Sequence, residues 1–204
     1  MSFSSFFSEQ ARKPSGWFGK IVMTLVFDKG NAFLNAMVNE LMSIQPKDRI
    51  LEIGFGTGKL IQTMAQHLEG GRIEGVDFSS TMLSVARKRN QKFIDAGTVK
   101  LFEGNFDEMP IEKHDFTKAC CVNTLYFWPE PERTVKKVAE LLIPGGKFMV
   151  AFEDVKQLEH RKLNDGVFHL YAKEDVKNLV QHTGYPRCAR PQTETCRTRF
   201  RCKQ

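Results

Sequence analysis

Apolar positions change their period near residue 46. Before it they recur at helical spacing. Phe3, Phe6 and Phe7 share a face with Gln10, Pro14-Ser15-Gly16 interrupts, and a second apolar segment runs to about Phe27. After a Lys29-Gly30-Asn31 turn, Phe33, Leu34, Met37, Val38 and Leu41 describe an amphipathic helix closed by Pro46-Lys47-Asp48. Beyond it, short apolar runs alternate with helical segments. Arg49 to Ile53, Arg72 to Val76, Val99 to Phe102, Phe116 to Val122 and Lys147 to Phe152 read as strands. Helices are predicted through Leu60–Leu68, from a Ser79 or Ser80 cap through Met82, Leu83, Val85 and Ala86, over Glu132–Leu142, and over about Lys173–Thr183. Two weaker strands, Arg187–Thr193 and Arg197–Cys202, end the chain.

That alternation predicts an α/β fold: a doubly wound, mostly parallel seven-stranded sheet with helices on both faces and a helical N-terminal extension. Residues 1–45 form the extension, a lid, and 46–204 the main domain. In such sheets ligands bind at the carboxyl ends of the strands, where strand order reverses, so the loop after the first strand should face the site.

That loop is Glu52-Ile53-Gly54-Phe55-Gly56-Thr57-Gly58. Its glycines permit a tight turn and close approach of backbone amides to a ligand. A dinucleotide fingerprint starting at Gly54 would require glycine where Lys59 stands, and a phosphate P-loop would require a hydroxyl residue where Leu60 stands. Asp77, ending the second strand about 20 residues on, is placed to accept both hydroxyls of a ribose, or to cap the next helix.

These residues resemble the class I (Rossmann-like) S-adenosylmethionine-dependent methyltransferases, most closely the small-molecule (type 11) branch. Glu52-x-Gly54-x-Gly56-x-Gly58 resembles the first motif and Gly75-Val76-Asp77-Phe78-Ser79 the second. Glu103-Gly104-Asn105-Phe106 is similar to the adenine-recognising stretch, with Asn105 where members often carry Asp. Asn123 to Pro129 resembles the segment facing the methyl group, and Leu141 to Lys147 the turn into strand five. The likeness covers roughly residues 46–153, and Arg12-Lys13-Pro14-Ser15-Gly16 is similar to a basic leader of bacterial members.

The resemblance implies S-adenosylmethionine as cofactor and in-line methyl transfer to a small-molecule acceptor. It implies that Gly54, Gly56 and Gly58 hold the methionine portion and ribose, and that Glu52 orders the loop or meets ligand through water. Asp77 would bind ribose, Phe78 and Met82 flank adenine, Asn105 and Phe106 address its edge and face, and Asn123 lie near the amino-acid group. Phe78 and Phe106 read equally as core aromatics. Tyr126, Phe127 and Trp128 are an aromatic wall for a cation or a cover over a strand–helix junction. Tyr126, His169, Tyr171 and, less well placed, His114 are the titratable candidates near the mouth; none is nominated as a base, so the catalytic residues stay unassigned. Asn31 and Asn35 sit where a lid would touch ligand.

Composition narrows the alternatives. The net charge of +6 and pI near 9.1 leave a nucleic-acid methyltransferase open, but no Asn-Pro-Pro or Asp-Pro-Pro follows strand four and no aromatic-basic platform is evident. A non-catalytic cofactor-binding scaffold is the second rival, and a nicotinamide oxidoreductase the third. Five cysteines show no C-x-x-C pair or zinc spacing, so neither a metal nor a disulfide framework is expected. No run reaches the ~18 apolar residues of a membrane span, and the reading is a cytoplasmic protein. The acceptor and the oligomeric state are not written in the sequence.

Overall fold

The computed structural model describes residues 24–112, 114–158, 168–183, 187–189 and 197–201. The readings of Phe3 to Gln10, the Pro14 break and the basic leader lie outside them. Helices α1 (Thr24–Gly30) and α2 (Ala32–Met42) come first, nearly continuous across Asn31, whose amide donates to Phe27 O at 2.9 Å. Then follow β1 (Arg49–Ile53), α3 (Lys59–Ala65), β2 (Arg72–Asp77), α4 (Ser80–Asp95), β3 (Val99–Glu103) and β4 (Phe116–Val122). A 3-10 turn (Leu125–Phe127) leads to α5 (Pro131–Leu141), β5 (Leu142–Ala151), α6 (Val155–Leu158), α7 (Lys173–His182), β6 (Arg187–Ala189) and β7 (Arg197–Arg201).

The strands order as β3-β2-β1-β4-β5-β7-β6. Five of them, β1 to β5, are parallel to their neighbours, and β7 and β6 join antiparallel beyond β5. This narrows the seven-stranded expectation: the wound parallel body has five strands, and the last two are edge additions. The order reverses between β1 and β4, which places the crevice at their carboxyl ends. The structure as a whole is the α/β Rossmann-like arrangement.

Strand alternation distributes each strand between two cores. Leu51, Ile53, Ala119 and Cys121 face one cluster, closed by Val135, Val138 and Leu141 of α5 and by Val176 and Val180 of α7. Ile50, Cys120 and Val122 face the other, closed by α2, α3 and α4. The helices form where apolar residues repeat at three and four. In α5, Pro131 takes the first turn, where its missing N–H costs nothing, and Thr134, Val135, Val138 and Leu141 turn inward. Each fully buried valine there contributes about 2 kcal/mol by removal from water.

Strand β5 begins earlier than the sequence suggests. Leu142 already pairs with Phe116, and the ladder resumes at Lys147 opposite Lys118. Pro144-Gly145-Gly146 therefore bulges out of the strand rather than preceding it, with Gly145 at φ +77°.

At the amino ends of the strands, away from the crevice, Lys118 is buried within an apolar strand. Its Nζ donates to Asp48 Oδ2 and, at 2.9 Å, to Ser43 O. Asp48 also accepts Gln45 N and the Thr117 hydroxyl, each at 2.7 Å. Burial opposes ionisation of Asp48, but these donors together with the Lys118 charge hold its carboxyl below the ordinary value. Removing the cation leaves a buried carboxylate short of its partner. Lys118→Met is expected to cost about 3 kcal/mol in urea denaturation, with part recovered by adding Asp48→Asn. A loss below about 1 kcal/mol would show the pair to be dispensable.

Candidate functional site

The turn from β1 into α3 is made by three glycines with left-handed backbone: Gly54 at φ +72°, Gly56 at +51° and Gly58 at +69°. Their reasons differ. A Cβ on Gly54 would lie 2.2 Å from Thr124 Cγ2, and one on Gly58 2.7 Å from Ala86 Cβ and Asn90 Nδ2. A Cβ on Gly56 would meet nothing nearer than Phe27 Cδ2 at 4.0 Å, so there the space belongs to the pocket.

Asp77, at the end of β2, braces this loop. Its Oδ2 accepts Gly56 N at 2.8 Å and its Oδ1 accepts Ser79 N at 2.9 Å. Burial raises the Asp77 carboxyl to about 6 against the lowering effect of those two amides. Ser79 in turn caps α4 by accepting Met82 N at 3.3 Å.

A pocket opens beside the loop, lined by Phe27, Asn31 and Asn35 above and by Glu52, Gly54, Gly56 and Val122 below. Glu52 shares a strand face with Ile50, which turns it toward α2. It is 2% exposed, and its Oε2 has no hydrogen-bond partner. Burial, with the Asp77 charge adding, pushes its carboxyl well above the ordinary value. Asn123, just past β4, has φ +53°, and its Nδ2 donates to Asn31 Oδ1 at 2.8 Å.

The structure thus gathers Glu52, Gly54, Gly56, Asn31 and Asn35 around one space, with Asn123 tied to Asn31 and with Gly58 and Asp77 behind the loop. Met82 is buried beneath the start of α4, and Phe78 is half-buried between β2 and that helix. Asn105 and Phe106 are not brought to the pocket. Asn105 Oδ1 accepts Asp107 N and its Nδ2 donates to Glu108, so its side chain shapes its own turn. Phe106 lies in the core with the Lys137 ammonium 4.8 Å from its ring centre.

The aromatic run after β4 covers a junction. Tyr126 and Trp128 are buried, and Phe127 stacks at 4.9 Å on Phe168. The Tyr126 hydroxyl accepts Glu153 N at 2.7 Å and has Glu153 O and Asn123 Oδ1 as acceptors. His114 lies before β4, at the opposite end of the sheet, with Nδ1 2.9 Å from Glu140 O. His169 is exposed and held through its backbone amide to Tyr126 O. Burial raises the half-buried Tyr171, aided by Glu132 and Asp175.

Sequence reasoning missed a group fastening α1 to the glycine loop. Asp28 of α1 accepts the Thr57 hydroxyl at 2.6 Å and the Arg89 guanidinium at 3.0 and 2.6 Å. Arg89 also donates to Thr57 O at 3.1 Å. Burial works against the Asp28 charge, but these hydrogen bonds and the Arg89 and Lys59 charges hold its carboxyl below the ordinary value. No periodicity marks a pair separated by 61 positions.

Among known proteins, residues 50–146 match the family described as methyltransferase domain. An uncharacterized methyltransferase of Bacillus subtilis, YdaC, is 28% identical over 123 residues, covering 60% of this chain and 66% of that protein. The demethylmenaquinone methyltransferase of Bacillus cytotoxicus is 29% identical over 108 residues, covering 52% and 45%. The chain therefore spans between about half and two thirds of the length of these relatives. In structure it is similar to the Haemonchus contortus phosphoethanolamine N-methyltransferase 2 in complex with phosphomonomethylethanolamine and S-adenosylhomocysteine. The TM-score is 0.72 at 21% identity, over 93% of this chain and 46% of that one.

Two substitutions separate the parts of the loop. Gly54→Ala is expected to lose about 3 kcal/mol of stability, through strain plus the Thr124 collision, and Gly56→Ala only about 1. Equal losses in urea melts would reject the distinction. Glu52 carries a pH signature as well. A carboxyl raised by folding favours the fold most at low pH, and that advantage is lost as pH climbs from about 4.5 toward the folded value. Glu52→Gln should therefore gain stability over the parent between about pH 5 and pH 8. A difference flat with pH would show Glu52 to be unperturbed.

Proposed function

We propose, from the match of residues 50–146 to the methyltransferase-domain family, that the chain transfers a methyl group from S-adenosylmethionine to a small-molecule acceptor. The observation that supports this most is the three-glycine loop pinned by Asp77 beside a covered pocket. The residues fit the cofactor: Glu52 keeps a buried oxygen without a partner on the pocket wall, and Gly56 leaves open the space a side chain would fill. When bound, the cofactor supplies an activated methyl on a sulfonium, a group that needs alignment more than activation.

In this reading Gly54, Gly56 and Gly58 shape the cradle for the methionine portion and ribose. Glu52 and Asn123 face the amino-acid end, and Asp77 takes the ribose hydroxyls on the lone pairs its two amide donors leave free. Phe78 and Met82, at the entry to α4, flank the adenine. Asn105 borders it through the turn it stabilises, and Phe106 supports that turn from the core. Residues 1–45 act as a lid over a main domain of 46–204, with Phe27, Asn31 and Asn35 as its pocket-facing side. No residue is assigned as a base, since Tyr126 is committed to Glu153 and His114 is at the wrong end of the sheet.

A small acceptor suits a pocket roofed by a helix, because a polymer strand would have to displace the roof. Relatives named for menaquinone and phosphoethanolamine chemistry support the same class. No helix among the described residues is long and apolar enough to cross a membrane.

Ribose hydroxyls donate to an ionised carboxylate, so binding should weaken as Asp77 protonates. Calorimetric titration of S-adenosylhomocysteine is expected to show micromolar affinity at neutral pH, about tenfold weaker at pH 5 than at pH 8. Asp77→Asn should weaken binding at both and flatten the profile. A folded protein that takes up no S-adenosylhomocysteine at any pH would overturn the proposed function.

A further inference from the structure

Helix α1 covers the pocket yet has no buried residue. Leu25 and Val26 are 59% and 38% exposed, so apolar burial does not hold this helix down. Phe27 only borders the space above Gly56. Among the described residues, Asp28 attaches α1 firmly: its two carboxylate oxygens receive two guanidinium nitrogens of Arg89 and the hydroxyl of Thr57. The same guanidinium reaches Thr57 O and Oγ1. One planar cation thus joins three segments: the lid, the glycine loop and α4. Lysine, a point charge on a flexible stem, cannot reproduce this fork.

We propose that Arg89 is a positioning residue for this pocket, a clasp that closes the α1 lid onto the glycine loop through Asp28 and Thr57 and that must open for cofactor to enter or leave. The inference rests on the pocket being the cofactor site, and it adds the means by which access is controlled. It is local by construction. The pair is partly buried at the edge of the domain, with side chains 20% and 27% exposed. Opening it should free α1, while α2 stays held by Leu34, Met37, Val38 and Met42 in the core. The sheet beneath keeps its own burial. The Asn31–Asn123 hydrogen bond is a second and weaker tie, since both partners are neutral.

The test compares Asp28→Asn, Arg89→Met, Arg89→Lys and the Asp28→Asn/Arg89→Met double variant in the full chain. Hydrogen exchange is read in the ligand-free protein, and S-adenosylhomocysteine release by stopped flow. Both single losses are expected to speed exchange of amides 24–31 about tenfold while α2, β1 and β4 stay protected, because the opening is sub-global. Release should accelerate by a similar factor. The double variant should add little to either single change, because both remove one shared contact. Arg89→Lys should restore only part of the protection.

Unchanged exchange at 24–31 would overturn the clasp. So would acceleration by one common factor throughout the domain, which marks a contribution to overall stability instead. If the parent protein fails to bind S-adenosylhomocysteine, the cofactor assignment and the release step fall together. The exchange result still decides whether Arg89 holds the lid.

Discussion

The carboxylate of Asp77 is the interaction on which the site depends. It is nearly out of water and receives one amide from the glycine loop and one from the cap of α4. Two turns from separate crossovers are thereby fixed to one group at the carboxyl end of β2. Without it, Gly56 N would face the pocket unpaired, and the left-handed run from Gly54 to Gly58 would lose the donor–acceptor match that offsets its strain. The cost is a carboxyl raised to about 6, which places a titrating group directly behind the ligand space. Stability and ligand chemistry therefore meet at the same atoms.

Glu52 shows the same economy from the other side. A strand residue facing α2 should be apolar, like Ile50 two positions earlier, and a carboxyl there loses solvation without gaining a partner for Oε2. Nothing in the packing of the described residues requires it. In the proposed function, the bound cofactor completes its hydrogen bonding. The fold tolerates the deficit because the rest of β1 is thoroughly buried on both faces.

How far the sequence speaks for the structure depends on the range of each interaction. The first four strands could be placed from period and bounding glycines alone, because those signals are local. The Ser79 cap and the glycine turn were legible for the same reason. Lys118 was not, since a lysine within Phe116–Val122 reads as a solvent-facing position until Asp48, 70 residues away, is brought beneath it. The start of β5 was missed because Pro144-Gly145-Gly146 signals a turn equally well before a strand or within a bulge. Phe106 and Asn105 resemble ligand contacts by their place after β3. Yet the core takes the ring, and the turn takes the amide side chain.

The clasp over the pocket belongs to this long-range class. Asp28 and Arg89 are charged residues on helices, and within either helix each looks like an ordinary solvated position. Their meaning comes from Thr57, whose hydroxyl and carbonyl lie between them only after β1, α3 and α4 have assembled. A lid anchored by burial would resist opening in proportion to its apolar area and would expose that area to water each time. A lid anchored by a charge-assisted fork on an already assembled domain opens without exposing a core, and closes again on groups that the loop holds in place. That arrangement suits the proposed cofactor pocket, which would admit and release a polar, charged molecule on every cycle. It also accounts for a seven-residue helix with no buried side chain standing over the most constrained loop in the domain.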